Sequence, residues 1–288
     1  MPESRWARAR SVARAGRRRL NSHKPYFASD DVVVGPGAVF GRNVRIMSER
    51  VRIGRGTVFR DNVTVFATDF TIGNYCTIYD YCFFPGPGSL EIGHNFWLGT
   101  AAIVDCQGGT TIGDNVGVGA HSQLWTHMAH GDTLYGCRFD SVKPLTLHND
   151  VWLAGQCLVS PITAGERSLA MLGSVITRDM QADRTYAGSP ARDVTEALGP
   201  QFAVRSVLER LRILDERLDA LLPNSGERRL VRAVDDETFA RLHDDTSLLL
   251  LNVESRTYSA SGHHLEPRVL RGLLPRAKFK PDREDGPI

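Results

Sequence analysis

The chain has 288 residues, 42% of them hydrophobic and 24% charged, with a net charge of +2. That length holds one large domain plus an appendage, and no apolar run reaches the roughly 20 residues needed to span a bilayer. Five cysteines, an odd number with no CxxC pair, exclude a disulfide framework or zinc knuckle as the organising principle.

Residues 1–31 read as a basic N-terminal arm. Arg5, Arg8, Arg10, Arg14, Arg17, Arg18 and Arg19 cluster there without the apolar stretch of a secretory signal, which predicts a cytoplasmic protein. A solvated, frayed helix accounts for the cluster; weak contact with anionic lipid headgroups is the sharper alternative. RNP, zinc-finger and helix-turn-helix signatures are absent, so nucleic acid is not an expected partner.

From residue 32 to 194 a period of six dominates. Inward-type residues recur in triplets: Val34, Phe40, Ile46; Ile53, Phe59, Val65; Ile72, Ile78, Phe84; Ile92, Leu98, Val104; Ile112, Val118, Leu124; and Leu147, Leu153, Val159. Neither a helix nor an alternating strand repeats at six. Six residues make one short strand and one turn, and three such units close a triangular coil whose aliphatics stack from coil to coil. Small residues such as Cys76, Cys82 and Cys157 fill the layer between them. Gly or Asn is expected at the turns, where φ is positive. Triplet starts lie 19 or 20 residues apart, more than eighteen, so one corner of several coils bulges.

The pattern [Leu/Ile/Val]-Gly-x-x-[small]-x resembles the hexapeptide-repeat acyltransferases, closest to the sugar O-acetyltransferases. The resemblance implies a left-handed parallel β-helix as an all-β main domain. It is supported by His148-Asn-Asp-Val-Trp-Leu-Ala-Gly155, Val159-Ser-Pro-Ile-Thr-Ala-Gly-Glu166, Gly173-Ser-Val-Ile-Thr-Arg-Asp179 and Ala187-Gly-Ser-Pro-Ala-Arg192, in that order. It implies acetyl-CoA as acyl donor and no metal. The step from Leu124 to Leu147 carries an insertion, the loop 125–146, rich in His, Asp and aromatics. Long loops within a regular repeat are usually functional. In the sugar O-acetyltransferases a loop at this place carries the catalytic histidine.

That resemblance makes His127 the candidate general base, with His130 as the alternative. Asp105, one coil earlier, is either an orienting carboxylate or an ordinary turn aspartate. His121 reads as an outward coil residue at a subunit contact. For coenzyme A the resemblance implies Trp152 and Gly155 on the pantetheine arm, Gly173 and Ser174 where the backbone approaches the ligand, Thr177 and Arg178 near the nucleotide end, and Arg192 on the 3′-phosphate. It also implies a homotrimer acting on a small-molecule or glycan acceptor. O-acetylation of a sugar hydroxyl is the leading expectation. N-acetylation of an amino sugar and a non-catalytic β-helix scaffold are the alternatives.

Residues 195–226 read as an amphipathic helix. Val207, Leu211, Leu214, Leu218 and Leu221 space as a coiled-coil seam, with packing against the β-helix as the alternative. Residues 227–288 read as a small α+β appendage, with a helix near Asp236–His243 and a strand near Ser247–Val253.

Overall fold

The computed structural model describes residues 22–283; the basic cluster between Arg5 and Arg19 lies outside them. The main body is a left-handed β-helix with three parallel faces. Face 1 has eight strands, from Tyr26–Ala28 to Val175–Ile176. Face 2 has seven, from Asp31–Val34 to Thr163–Ala164. Face 3 runs from Val39–Phe40 to Thr185–Gly188 and ends on the antiparallel strand Ala191–Asp193. The chain passes from face 1 to 2 to 3 on each coil.

All but one of the predicted inward residues are buried, and they form a single continuous core. The exception is Val34, 39% exposed, because the first coil has no coil before it to cover its outermost rung. The coil also starts earlier than residue 32. Tyr26–Ala28 pairs with Arg45–Met47, and Phe27 packs edge-on against Phe40 with ring centroids 6.0 Å apart. Face 2 contributes a second inward position that the six-residue period does not mark: Val51, Phe70, Leu90, Thr110 and Leu145, all essentially buried.

The turn residues divide into two kinds. Positive φ is taken by Gly37, Gly56, Asn43, Asn62, Asn95 and Asn115, as expected, but also by Tyr75, Tyr81, Ala101 and His121. The glycine directly after each aliphatic serves another purpose. A Cβ on Gly54 would sit 2.3 Å from the carbonyl carbon of Gly73, so this position is held small by the next coil's backbone. His121 is exposed at a face 3 to face 1 corner.

The C-terminal part is one unit rather than two. The helix Val207–Leu221 starts with a capping box between Ser206 and Glu209. It buries Leu214 and Leu218 in a core shared with the strands Val231–Val234 and Leu249–Asn252 and the helix Glu266–Leu273. The apolar seam is therefore covered within the chain, by its own sheet and helix, instead of a coiled-coil partner. The helix Asp236–Leu242 and the strand Leu249–Asn252 lie where the sequence places them.

This unit docks along the corner between faces 2 and 3, using the left-handed residues as a ladder. Arg271 donates to the Gly37 carbonyl at 2.5 Å, Asn95 to the Phe279 carbonyl at 2.9 Å, and Lys278 to the Asn115 carbonyl at 2.7 Å. Arg256 grips the buried Asp150 with both terminal nitrogens, one at 2.8 Å. Tyr75 donates to Glu266 at 2.6 Å across the same seam. Burial, with Glu266 beside it, pushes the Tyr75 phenol far above its ordinary range, so it remains a donor. Tyr75→Phe is expected to lower stability by about 1–3 kcal/mol, because the buried Glu266 side chain loses the hydrogen bond from the phenol. Denaturant unfolding of the full chain measures this; an unchanged midpoint would mean that the contact does not hold the appendage.

Candidate functional site

The corner between faces 1 and 2 is where the coils bulge, and the bulge grows along the helix. It is two residues at Ser48–Glu49 and at Ala67–Thr68, five at Pro85–Ser89 and at Asp105–Gly109, and then the long excursion that starts at Trp125. Trp125 still follows the ladder, its N–H donating to the Val159 carbonyl at 2.9 Å. Thr126 is the last buried residue before the chain leaves the prism. His127–Met128 then pairs antiparallel with Ser141–Val142, and the Lys143 N–H donates to the Thr126 carbonyl at 2.9 Å. The loop is thus pinned at its base while residues 129–140 stand away from the body. The returning strand passes so close to Gly108 that a Cβ there would meet the Lys143 carbonyl oxygen at 2.3 Å.

Asp105 is the centre of this base. Its side chain is fully buried and accepts from the Thr126 N–H at 2.8 Å, from the Thr126 hydroxyl, and from the Gln107 N–H at 3.3 Å. The same carboxylate lies 2.8 Å from His127 Nδ1. Burial alone raises the Asp105 pKa, but hydrogen bonds from Thr126 and His127 outweigh it and hold the carboxyl below its ordinary value. An ionised carboxylate only accepts, so Nδ1 carries the proton and Nε2 presents a lone pair. Nε2 has no hydrogen-bond partner among the described residues, and the side chain is 27% exposed. Trp125 packs edge-on against the imidazole, centroids 6.0 Å apart, and its own N–H is held by Gln123 at 3.2 Å. The result is an oriented, partly exposed imidazole at the surface, an arrangement that can accept a proton at Nε2.

The other residues singled out from the sequence fall in different places. His130 is exposed on the outer loop, and its side chain has no hydrogen bond among the described residues. Gly155 and Gly173 sit at the corner between faces 3 and 1, both with positive φ, and a Cβ on Gly173 would meet nothing within 4 Å. Ser174 is buried, its hydroxyl donating to the Met171 carbonyl at 2.7 Å. Thr177 and Arg178 are exposed at the same corner line as His127, after the strand Val175–Ile176. Trp152, 45% exposed, and Arg192, also exposed, lie on face 3. Within one chain the structure joins Asp105 to His127 and leaves Trp152 and Arg192 on another face.

Thr126, Gln107 and Gly108 complete the site and were not singled out from the sequence. The only trace of them is the Gln-Gly-Gly run after Asp105, which reads as a turn. Among the described residues no group of three or more His, Cys, Asp or Glu side chains is placed to hold a metal ion, and no helix is long and apolar enough to cross a membrane.

No family model matches the chain. It is 27% identical over 129 residues to the galactoside O-acetyltransferase of Escherichia coli (strain K12), a match covering 44% of this chain and 63% of that enzyme. The chain therefore spans less than two thirds of the length of that relative. Among solved structures it resembles an N-acyltransferase from Bacillus cereus in complex with coenzyme A and a dTDP-linked amino sugar, with 15% identity and a TM-score of 0.42, over 74% of this chain and 96% of that one. It also resembles a hexapeptide-repeat acetyltransferase from Vibrio cholerae O1 biovar eltor complexed with acetyl coenzyme A, with 18% identity and a TM-score of 0.31, over 67% and 78% of the two chains. The β-helical part of this chain is a six-residue-repeat coil, and over 129 residues its sequence is similar to that of a sugar O-acetyltransferase.

Proposed function

We propose that the protein transfers an acetyl group from acetyl-CoA to a sugar hydroxyl, in the cytoplasm, with His127 as general base. The observation that carries this reading is the Asp105–His127 pair, 2.8 Å apart, with Nε2 facing outward. A thioester is already activated, so no covalent intermediate on the protein is needed. The acceptor oxygen attacks the thioester carbonyl while Nε2 takes its proton. The C–O bond forms, the C–S bond breaks, and the imidazolium returns the proton to the departing thiolate. Asp105 fixes the tautomer and stabilises the imidazolium. Nothing in this sequence of steps requires a metal.

The coenzyme A contacts are proposals of the same standing. Gly173 leaves backbone open at one edge of face 1, with Gly155 buried beside Leu172 on the preceding coil; Thr177 and Arg178 stand at the other edge, on the line of His127. Ser174 contributes through its small size, since its hydroxyl is already used. Trp152 and Arg192 can join these groups only across a contact between chains. The loop tip gives that contact a reason: Leu134, Tyr135 and Phe139 are 94%, 92% and 70% exposed, an apolar patch that association would cover. A homotrimer, with each loop closing over a neighbour, meets both requirements.

Calorimetric titration with coenzyme A, followed by a screen of sugars and amino sugars for release of free thiol from acetyl-CoA, tests the reading. Acceptor-dependent thiol release with a hydroxyl sugar is expected. Absence of coenzyme A binding would make the chain a scaffold, and release confined to amino sugars would make it an N-acetyltransferase.

A further inference from the structure

A cavity of about 900 Å³ lies between face 3 and the C-terminal unit, away from the Asp105–His127 corner. Its floor is aromatic. On the outside of face 3, Trp97, Gly117 and Trp152 are in register on neighbouring strands. Gly117 lets the Trp152 indole lie down on the sheet: a Cβ there would meet Trp152 Cδ1 at 3.3 Å. Trp97 is propped from its other side by Tyr79, ring centroids 5.3 Å apart. Both indoles line the cavity, Trp97 half-buried and Trp152 exposed, and flat rings stack on aromatic side chains in a way that tolerates their identity.

The wall opposite is basic. Six basic side chains line the cavity against two carboxylates, Asp150 and Glu216. Both carboxylates are already matched, Asp150 by Arg256 and Glu216 by Arg212. Arg205 just before the long helix, Arg217 on it and Arg276 just after the helix Glu266–Leu273 carry guanidinium groups that make no hydrogen bond or ion pair among the described residues. Arg210 is only partly used: one terminal nitrogen donates to the Val253 carbonyl at 3.1 Å, while its Nε is buried without a partner. Unmatched guanidinium groups around a cavity suit a polyanion, and their planar forks suit phosphate oxygens. The volume is that of a site for a molecule of coenzyme or nucleotide size.

We propose that this cavity binds a nucleotide, its base stacked on the Trp97–Trp152 floor and its phosphates on Arg205, Arg217 and Arg276. Two sources share that chemistry: a nucleoside diphosphate, free or carrying a sugar, and the nucleotide end of the acyl donor. This site shares Trp152 with the proposed coenzyme A contacts and otherwise goes beyond the acyl-transfer reading, which is decided at the Asp105–His127 corner.

The test is to titrate the full-length protein with UDP, ADP and coenzyme A, by calorimetry and by tryptophan fluorescence. The same titrations are run on Arg217→Ala/Arg276→Ala and on His127→Ala. Binding with fluorescence change is expected, weakened about tenfold or more in the double arginine variant and unchanged in His127→Ala. If UDP and ADP bind and coenzyme A does not displace them, the source is a nucleoside diphosphate. If coenzyme A binds with the same arginine dependence and displaces them, its nucleotide end is the occupant. Failure of UDP and ADP to bind at millimolar concentration, or binding of either that is indifferent to the two arginines, would overturn the proposal, whether or not coenzyme A binds at the transfer site. Acetyl transfer could survive either of these failures.

Discussion

His127→Ala is expected to cut turnover by about 10²–10⁴-fold, the range set by loss of a positioned general base. Coenzyme A affinity and thermal stability should change little. The imidazole is partly exposed and its one protein hydrogen bond is to Asp105, which keeps Thr126 and Gln107 as donors. His130→Ala should have a milder effect, mostly on the acceptor KM, because that residue is exposed on the outer loop and no side-chain hydrogen bond among the described residues orients it. Steady-state thiol release by the two variants side by side decides between them. The reverse ranking would move the base to His130, and near-normal turnover in both would remove the loop from the chemistry.

Asp105→Asn should damage both activity and folding. An amide can offer N–H to His127 Nδ1, which drives the proton to Nε2 and leaves the wrong tautomer for base catalysis; a loss of about 10²–10⁴-fold in kcat follows. The same change weakens the anchor of the loop, since the Thr126 N–H and hydroxyl both donate to the lost charge. The stability effect carries a pH signature. The folded-state pKa of Asp105 is depressed, so its contribution is fully present above the unfolded value of about 3.9 and is withdrawn as pH falls through the lower folded value. The stability gap between wild type and Asp105→Asn, measured by denaturant unfolding, should therefore be widest near neutrality and narrow in strong acid. A gap independent of pH would mean that the Asp105 charge does not hold the loop.

Much of this architecture is legible in the sequence because it is periodic. Each buried triplet repeats the same environment, so a single period of six marks Phe59, Ile78 or Leu98 without knowledge of any partner. What the period misses is aperiodic or double-valued. The extra inward residues of face 2, such as Phe70 and Leu90, sit two before the repeat position and are hidden by its six-residue frame. The glycines of the repeat look like turn glycines, yet Gly54 is small because another backbone presses on it, and Tyr75 occupies a left-handed turn where Gly or Asn was expected. Asp105 and His127 could be associated from sequence because both fall at the same corner on successive coils. The buried Thr126 and the close pass over Gly108 could not, since they depend on how the loop returns. The docking of the C-terminal unit was likewise invisible: Tyr75 and Glu266 are 191 residues apart, and no repeat links them. Leu214 and Leu218 carried a seam, but a seam does not say which surface covers it.

The most direct test of the central claim is the pH dependence of kcat/KM for the acceptor at saturating acetyl-CoA, measured for wild type, His127→Ala and His130→Ala. A neutral imidazole acting as base gives a rate that falls toward acid as the ring is protonated. Wild type and His130→Ala should share that acid limb, and the residual rate of His127→Ala should lack it. An acid limb that persists unchanged in His127→Ala would contradict the assignment of His127 as the base held by Asp105.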